Sequence, residues 1–219
     1  MFIVPRGHSL TFYLMVLSPL NDFIEYLNEV EDRFELTKLR FEKEAKGLNP
    51  DEEEKYWDYY IDQYHSYDKT YPSILRSSVF TNIYSFLEFH LISLCSDKEM
   101  LKRIKFDKGI FKAKKYLKMK YKNCEVFNQA EIFSNDTWAK LVEYSKIRNC
   151  IVHNSGILDM IPEKEKRKDL IQIVNKMSHV EFDEHQRIQI LSKEFCEDFH
   201  EVTSEFICNL NNLLCNLND

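Results

Sequence analysis

The residues best suited to chemistry in this sequence lie close together near the C-terminal end of an apolar, helix-like stretch. They are Arg148, Asn149 and His153, and the helix stop signals Asn154 and Gly156 follow them. A histidine can accept a proton from one oxygen and return it to another near neutral pH. An arginine can hold a phosphate and stabilise the negative charge that develops on it. These residue types therefore indicate acid–base chemistry at a phosphate.

Helix geometry limits how these side chains can meet. At about 100° per residue, Asn149 and His153 lie on the same side of a helix, whereas Arg148 and His153 diverge by roughly 140°. One straight helix therefore does not direct both side chains at one atom. Two solutions stay open: the long arginine side chain bends around the helix, or a second copy of the helix supplies the missing group.

A purely structural role is the alternative for the same residues. A histidine in the last turn of a helix can bind the final carbonyl groups, and Arg148 can pair with a carboxylate such as Glu88. Glu88 ends a polar line along an otherwise apolar helix, where a carboxylate needs a cation or a hydrogen-bond donor unless the line faces solvent. We therefore consider Glu88 a candidate supporting residue of the site.

The composition predicts an all-α fold. Four glycines and five prolines in 219 residues are too few for the many tight turns of a sandwich or barrel. Apolar residues recur at helical spacing in several stretches, and one short alternating stretch predicts a small β-hairpin before the last helix. The predicted helices cover residues 19–46, a stretch after Pro50, residues 74–95, a stretch that Asn135 or Asp136 caps and that ends in the motif, and residues 192–217. The hairpin covers residues 180–190. Gly47-Leu48-Asn49-Pro50 closes the first helix, and Pro72 either starts the third helix or kinks the second.

Length and apolar content predict one domain over residues 15–219, because 44% apolar residues can form a substantial core. Residues 1–14 are expected to be an upstream extension or a cloning scar. The apolar run 10–17 is too short to span a bilayer, so no membrane association is expected. No two of the six cysteines form a C-x-x-C pair, which predicts free thiols in a reducing, cytoplasmic setting and no zinc site.

Two further patterns have open interpretations. Five tyrosines recur every three or four residues in the second helix, which favours a packing face over a platform for stacking bases (Tyr56, Tyr60, Tyr64, Tyr67 and Tyr71).

Between residues 102 and 122 every charged side chain except Asp107 is cationic, although the whole chain has a net charge of −6. Aromatic residues alternate with these cations, namely Phe106, Phe111, Tyr116 and Tyr121. This segment is either a phosphate-binding surface or a solvated helix face that complements the acidic first 70 residues. The candidate RNA-binding residues in it are Lys112, Lys114, Lys115 and Lys118.

The motif and its context resemble those of the HEPN superfamily, whose members are small all-helical domains that include many prokaryotic RNase toxins. Arg148-Asn149-Cys150-Ile151-Val152-His153 matches the R-N-x-x-x-H form of the HEPN motif, near a helix end. The segment from Arg76 to Glu88 resembles the long helix that precedes the motif in these proteins. The resemblance extends over roughly residues 19–215 and implies a HEPN-like helical bundle.

The resemblance also implies a function. It implies a homodimer whose motif helices face each other and form a composite site that cuts RNA without a metal or cofactor. Arg148, Asn149 and His153 are the implied active residues, and the expected products carry a 2′,3′-cyclic phosphate and a 5′-hydroxyl. Such a protein would act as a toxin or antiviral defence effector on an RNA such as tRNA, restrained by an antitoxin or sensor partner.

One departure and one alternative accompany this expectation. Toxins of this family that are paired with nucleotidyltransferase antitoxins often extend the motif to H-x-Y, whereas this chain has His153-Asn154-Ser155. Control through modification of that tyrosine is therefore not expected. The alternative function is a non-catalytic HEPN-like module that binds RNA or a protein through the same dimer and the basic segment.

Overall fold

The computed structural model of the chain describes residues 9–217, and over this range the fold is all-α with one small antiparallel hairpin. The helices are α1 (Leu10–Phe12), α2 (Ser18–Lys46), α3 (Pro50–His65), α4 (Tyr71–Ser93), α5 (Lys98–Arg103), α6 (Gly109–Lys120), α7 (Glu125–Gln129), α8 (Asp136–His153), α9 (Lys164–Val174) and α10 (Glu194–Asn216). Strands β1 (Val180–Phe182) and β2 (Ile188–Ile190) form the hairpin, π-helical turns cover Tyr13–Leu17 and Ser66–Thr70, and a 3₁₀ turn covers Leu158–Met160. The predicted fold class, including the hairpin before the last helix, is confirmed.

The first long helices end and begin where the sequence signals predict. Helix α2 ends at Gly47, and α3 begins with a capping box in which Asn49 Oδ1 accepts from the Glu52 N–H at 3.1 Å. Of the two roles predicted for Pro72, the structure shows the start of a helix, because Pro72 lies in the first turn of α4 and a π-helical turn joins α3 to α4. The two helices therefore run on without an intervening loop.

The tyrosine stripe packs against α2. The ring of Phe41 contacts the rings of Tyr60, Tyr64 and Tyr67, with centroid distances of 5.6, 6.4 and 6.3 Å. The Tyr64 hydroxyl also donates to Glu42 on α2 at 2.9 Å. These contacts confirm the predicted packing face, so the stripe is not an open platform for bases.

Helix α4 occupies the centre of the bundle and packs against α2, α6, α8 and α10. Its Phe80 ring is fully buried and contacts Phe195 and Phe199 of α10 at centroid distances of 5.2 and 4.9 Å. Tyr144 of α8 joins the same aromatic cluster at 4.6 Å from Phe199. The helix that carries Arg148 is therefore fixed against both α4 and α10.

A half-buried ion pair joins α2, α4 and the hairpin. Arg76 Nε and Glu31 Oε1 lie 2.5 Å apart, and each side chain is 16% exposed. Arg76 Nη1 also donates to the backbone carbonyls of Ile190 and Leu191. Removing the arginine would leave a buried carboxylate without a partner, so this residue holds the hairpin against the bundle.

The hairpin in turn holds the segment that follows α8. Its strands pair in the register Val180 to Ile190, and Ile188 N–H donates to the Gly156 carbonyl at 2.9 Å. Leu158 N–H donates to the Gln186 carbonyl at the same distance. The hairpin therefore fixes the chain directly after His153 rather than forming a separate appendage.

The N-terminal part of the described chain contributes to the core. Phe12, Val16 and Leu17 are buried in the same cluster as residues of α4 and α10. The rest of the predicted extension, residues 1–8, lies outside the described residues. None of the described helices combines the length and the apolar character that crossing a bilayer requires.

All six cysteines are free thiols. Burial raises the pKa of Cys95 and of Cys150 to about 11, and the pKa of Cys196 to about 12. A thiol with such a raised pKa carries little thiolate near neutral pH and is a poor nucleophile. Cys150, although it lies within the motif, therefore acts as a small packing residue of α8.

Asp183 organises the hairpin turn and makes its stability depend on pH. Its carboxylate accepts from the N–H groups of Arg187 and His185 at 2.8 and 2.9 Å, and these bonds lower the pKa of Asp183. A folded-state pKa below the unfolded value, about 3.9, gives stability that is present above that value and is lost as the pH falls through the folded pKa. We expect Asp183→Asn to lower the free energy of unfolding at pH 7, and to change it less near pH 3.

Urea unfolding of both proteins at the two pH values measures this difference. Asp58→Asn is a matched control, because Asp58 is exposed and the described part of the chain offers it no bonding partner. An Asp183→Asn effect of equal size at pH 7 and pH 3 would show that the charge of this carboxylate does not stabilise the turn.

Candidate active site

Helix α8 separates a buried face from a face that is open to solvent. It begins at Asn135, whose side chain accepts from the Trp138 N–H at 2.9 Å, as the sequence predicts. Its buried residues are Trp138, Leu141, Tyr144, Ser145, Ile147 and Cys150. Asn149 and His153 are exposed on the other side. The periodicity of the apolar residues therefore determines which motif residues remain accessible.

The end of α8 has the backbone geometry that its stop signals predict. The N–H groups of Asn154 and Gly156 both donate to the Cys150 carbonyl at 3.0 Å. Gly156 has a φ of +75°, a conformation that glycine adopts without a steric penalty. The Asn154 side chain donates to the Met160 carbonyl at 2.8 Å and ties the next turn to the helix end. His153, the last helical residue, is therefore held on a fixed backbone.

The Arg148 side chain bends around α8 and reaches His153 in the same chain. Arg148 Nη1 lies 3.5 Å from His153 Nε2 and donates to Asn149 Oδ1 at 3.2 Å. Of the two predicted solutions, the structure shows the bent arginine, so a single chain brings all three motif residues together. Since a guanidinium can only donate, Nε2 is the acceptor in this contact when it carries no proton.

The other side of the guanidinium faces α4. Arg148 Cζ lies 5.0 Å from the centre of the Tyr84 ring, in a cation–π geometry, and Nη2 lies 4.0 Å from Glu88 Oε2. The Tyr84 hydroxyl donates to the buried Ser145 hydroxyl at 3.0 Å, and burial is the main cause that raises its pKa. The ring is thus fixed, and the Arg148 side chain is only 18% exposed.

One nitrogen of Arg148 has no hydrogen-bond partner among the described atoms. This is the buried Nε, whose desolvation is not offset by a protein acceptor. The attraction of the guanidinium to the Tyr84 ring and to Glu88 opposes the cost of burying this group. The two terminal nitrogens do have neighbours: Nη1 lies near Asn149 and His153, and Nη2 lies near Glu88.

Glu88 also contacts the start of α6. Gly109, the first residue of that helix, has a φ of +54°, and a Cβ atom there would lie 2.9 Å from Glu88 Oε1. The first N–H groups of a helix favour a nearby negative charge. The predicted supporting residue therefore lies between the guanidinium of Arg148 and the N-terminus of α6.

The motif residues line an open cavity of about 810 Å³ between α4, α8, α9 and the loop before α6. Its lining residues are Tyr84, Glu88, Phe106, Lys108, Gly109, Phe111, Ser145, Lys146, Arg148, Asn149, Cys150, His153, Asn154, Ile161, Pro162, Glu163, Lys166, Asp169 and Leu170. Two of the lysines are paired within the cavity wall, Lys146 with Asp169 at 2.8 Å and Lys166 with Glu163 at 2.7 Å. The cavity wall therefore carries both signs of charge, and its other two cations are Arg148, 4.0 Å from Glu88, and Lys108.

The predicted RNA-binding lysines lie outside this cavity. Lys114 donates to the Phe133 carbonyl at 3.0 Å and lies 4.8 Å above the Trp138 ring, and burial lowers its pKa. Lys115 pairs with Asp107 at 2.9 Å. Lys114, Lys115 and Lys118 line a separate, shallow groove of about 360 Å³, and Lys112 lines neither the cavity nor this groove. RNA binding by these four lysines stays a prediction, and it concerns a surface other than the cavity that contains Arg148 and His153.

Sequence analysis missed two groups that shape the site, Tyr84 and Gly109. Tyr84 lies four residues before Glu88 and therefore on the same face of α4, a spacing that the sequence does contain. Gly109 carries no comparable signal, because its contact with Glu88 joins two helices that are distant in the sequence. Tyr84 contacts Arg148 directly, and Gly109 leaves room for the Glu88 carboxylate.

The assembled side chains can supply two kinds of chemistry. His153 can transfer a proton, and Arg148 can bind an oxyanion through its terminal nitrogens. Among the described residues no group of three or more histidine, cysteine, aspartate or glutamate side chains is placed to hold a metal ion. A proton-transfer group beside an oxyanion donor suits reactions at a phosphate.

A methyl group at Gly109 tests the contact between α6 and Glu88. We expect Gly109→Ala to lower the free energy of unfolding by about 1–2 kcal/mol, because an L-residue is strained at this positive φ. The new Cβ would also displace the Glu88 carboxylate. Urea unfolding measures the stability, and Gly47→Ala is the matched control, because a Cβ at Gly47 meets its nearest atom at an ordinary 3.5 Å. Equal effects of the two substitutions would show that neither the positive φ nor the nearby Glu88 carboxylate requires a glycine at position 109.

Comparisons of the chain with models of protein families, with curated proteins and with solved structures found no match.

Proposed function

We propose that the chain is an endoribonuclease in which the ribose 2′-hydroxyl attacks the adjacent phosphate without the help of a metal. The observation that carries the proposal is the 3.5 Å distance between Arg148 Nη1 and His153 Nε2 on the wall of an open cavity. A phosphate bound to the guanidinium there would be within reach of the imidazole. The match of these residues to the HEPN motif gives independent support.

The proposed reaction needs two proton transfers. A base removes the proton of the 2′-hydroxyl while the 2′-oxygen forms a bond to phosphorus. The bond from phosphorus to the 5′-oxygen breaks, and an acid donates a proton to that oxygen. The products are a 2′,3′-cyclic phosphate and a 5′-hydroxyl. DNA lacks the attacking hydroxyl and should not be cut.

Each residue of the site has a role in this reaction. His153 transfers a proton, and Arg148 binds the phosphate and stabilises the additional negative charge of the five-coordinate transition state. Asn149 accepts from Arg148 at 3.2 Å and orients the guanidinium. Tyr84 and Glu88 position Arg148 from the opposite side. Each of the last two residues acts through the arginine and does not contact the reacting atoms.

A homodimer through α8 would supply the second proton-transfer group. One chain places one histidine beside Arg148, but the reaction needs an acid and a base at the same time. A two-fold axis near His153 would bring a second copy of this residue to the cavity. Val152, which is 46% exposed beside the motif residues, gives this surface an apolar part that a second copy would cover.

The biological role follows from the resemblance to HEPN toxins. A nuclease of this kind acts as a prokaryotic toxin or as an antiviral defence effector in the cytoplasm. Loops such as those of tRNA are suitable substrates, because their unstacked nucleotides can bring the 2′-oxygen into line with the phosphate. An antitoxin or a sensor protein is then needed to restrain the activity.

One observation favours a second candidate function, a non-catalytic module that binds RNA or a protein. Arg148 is mostly buried against Tyr84 and Glu88, as expected for an arginine that stabilises the bundle. In that case the motif residues would stabilise the packing of α8 against α4 and would catalyse no reaction. The two candidates differ in what the removal of His153 does.

RNA cleavage by matched variants separates the two functions. We expect the parent protein to cut total RNA or tRNA in excess chelator. His153→Ala should lower the rate by about 10²–10⁴-fold, because it removes a proton-transfer group. Arg148→Ala should lower it by about 10²–10³-fold, because it removes the main oxyanion donor. Gel analysis of labelled RNA measures both rates.

His185→Ala is the control variant, because His185 is an exposed histidine on the hairpin turn that does not line the cavity. It should cut RNA at the parent rate. Circular dichroism and sedimentation must show that all variants are folded and in the parent oligomeric state. No cleavage by the parent, or cleavage that survives both motif substitutions, would rule out the nuclease and favour the binding module.

A further inference from the structure

An exposed phenylalanine lies at the mouth of the cavity. Phe106 is 93% exposed, lines the cavity that contains Arg148 and His153, and makes no ring contact among the described residues. An aromatic ring in this position gains nothing from the core of its own protein. Its face is therefore free to contact a ligand that enters the cavity.

The loop that carries Phe106 is fixed on both sides of the ring. Ile104 is buried in the core two residues before it. Asp107 directly follows and pairs with Lys115 of α6 at 2.9 Å, and the Lys108 carbonyl accepts the first hydrogen bond of α6 at 3.3 Å. With both flanks held, the ring cannot turn into the core without breaking these contacts.

The other aromatic residues of the basic segment are all engaged within the protein. Tyr116 is fully buried, and its hydroxyl accepts from the Asp97 N–H at 2.9 Å. Tyr121 stacks on Phe127 at 5.0 Å, and Phe111 contacts Trp138 at 6.0 Å. Of the four aromatic residues that sequence analysis grouped in this segment, Phe106 alone is left free to stack on a ligand.

The charge around Phe106 favours a polyanion over a second copy of this chain. Lys105 and Lys108 flank the ring, are exposed, and have no ion-pair partner among the described residues. Of the acids on this loop and in the cavity wall, Asp107 pairs with Lys115, Asp169 with Lys146 and Glu163 with Lys166, and Glu88 lies 4.0 Å from Arg148. In a two-fold dimer centred on this loop the same lysines would face each other and repel. A nucleic acid instead offers a flat base for the ring and phosphates for the lysines.

We propose that Phe106 is the stacking residue for an unpaired base of a single-stranded RNA substrate, with Lys108 binding the phosphate beside that base. This inference rests on the proposed nuclease function and specifies its substrate class. Paired bases of an RNA duplex are stacked on their neighbours and offer no free face to the ring. Phe106 would thus select loops and single strands and guide the neighbouring phosphate toward Arg148.

Binding of an RNA that cannot be cut tests the inference apart from catalysis. The probe is a short, fluorescein-labelled, 2′-O-methylated single-stranded RNA of mixed sequence, titrated with the parent protein and its variants. We expect Phe106→Ala to raise the Kd by about 5- to 150-fold, the usual effect of removing one stacking side chain. Phe106→Tyr keeps the aromatic face and should restore binding to within about twofold, because the added hydroxyl can stay in solvent.

A matched control and two further readouts complete the test. Phe89→Ala removes another exposed phenylalanine, 74% exposed and outside the cavity, and should bind like the parent. Lys108→Gln should reduce the dependence of log K on log salt by about 0.7, since it removes one phosphate contact. In Phe106→Trp, RNA should quench the new tryptophan emission.

Three results of the binding experiment would overturn the inference. One is an unchanged Kd for Phe106→Ala, and another is equal binding of single-stranded and duplex RNA by the parent protein. The third is a loss of binding that sedimentation shows to follow from a loss of dimers, which would make Phe106 a subunit contact. Cleavage that needs His153 but not Phe106 would reject this inference alone, whereas stacking without any cleavage would reject the nuclease and keep the RNA-binding role.

Discussion

The packing of the Arg148 guanidinium against Tyr84 is the interaction on which the rest of the site depends. A guanidinium 5.0 Å from the centre of a fixed aromatic ring gains a cation–π attraction that favours this position of the side chain over one in solvent. In this position Nη1 lies 3.5 Å from His153 Nε2, although the two residues leave α8 in different directions. The Tyr84 ring is itself fixed by the bond of its hydroxyl to Ser145. The position of Arg148 beside His153 thus depends on contacts between α4 and α8.

The surrounding fold keeps these two helices in place. The aromatic cluster around Phe80 and Phe199 joins α4, α8 and α10, and the ion pair between Arg76 and Glu31 fixes the hairpin on the bundle. The hairpin then binds the backbone at Gly156, directly after the motif. The contacts among Arg148, Asn149 and His153 require helices that keep their positions. Small displacements of reacting groups reduce the rate of a reaction that requires their alignment. The small hairpin is therefore part of the support of the site.

Sequence analysis succeeded where the determinants are local. The ends of α2, α3 and α8 follow from Gly47, Asn49 and Asn135, whose effects on a helix terminus act within a few residues. The sequence could not decide whether Arg148 bends toward His153 of its own chain or a second copy of the helix supplies the missing group. The answer depends on contacts of Arg148 with Tyr84 and Glu88, which belong to another helix. Lys114 likewise resembles its neighbours in the sequence, yet its side chain lies against Trp138, a contact that only the tertiary fold creates.

The central claim is that Arg148 and His153 promote attack by a ribose 2′-hydroxyl, and one substituted substrate tests it most directly. The parent protein would be incubated, in excess chelator, with an RNA that it cuts and with the same RNA carrying a single 2′-deoxynucleotide at the cut position. We expect mass spectrometry to find a 2′,3′-cyclic phosphate and a 5′-hydroxyl from the first RNA, and no cleavage at that position in the second. Cleavage at the 2′-deoxynucleotide, or a 5′-phosphate on the product, would contradict the claim.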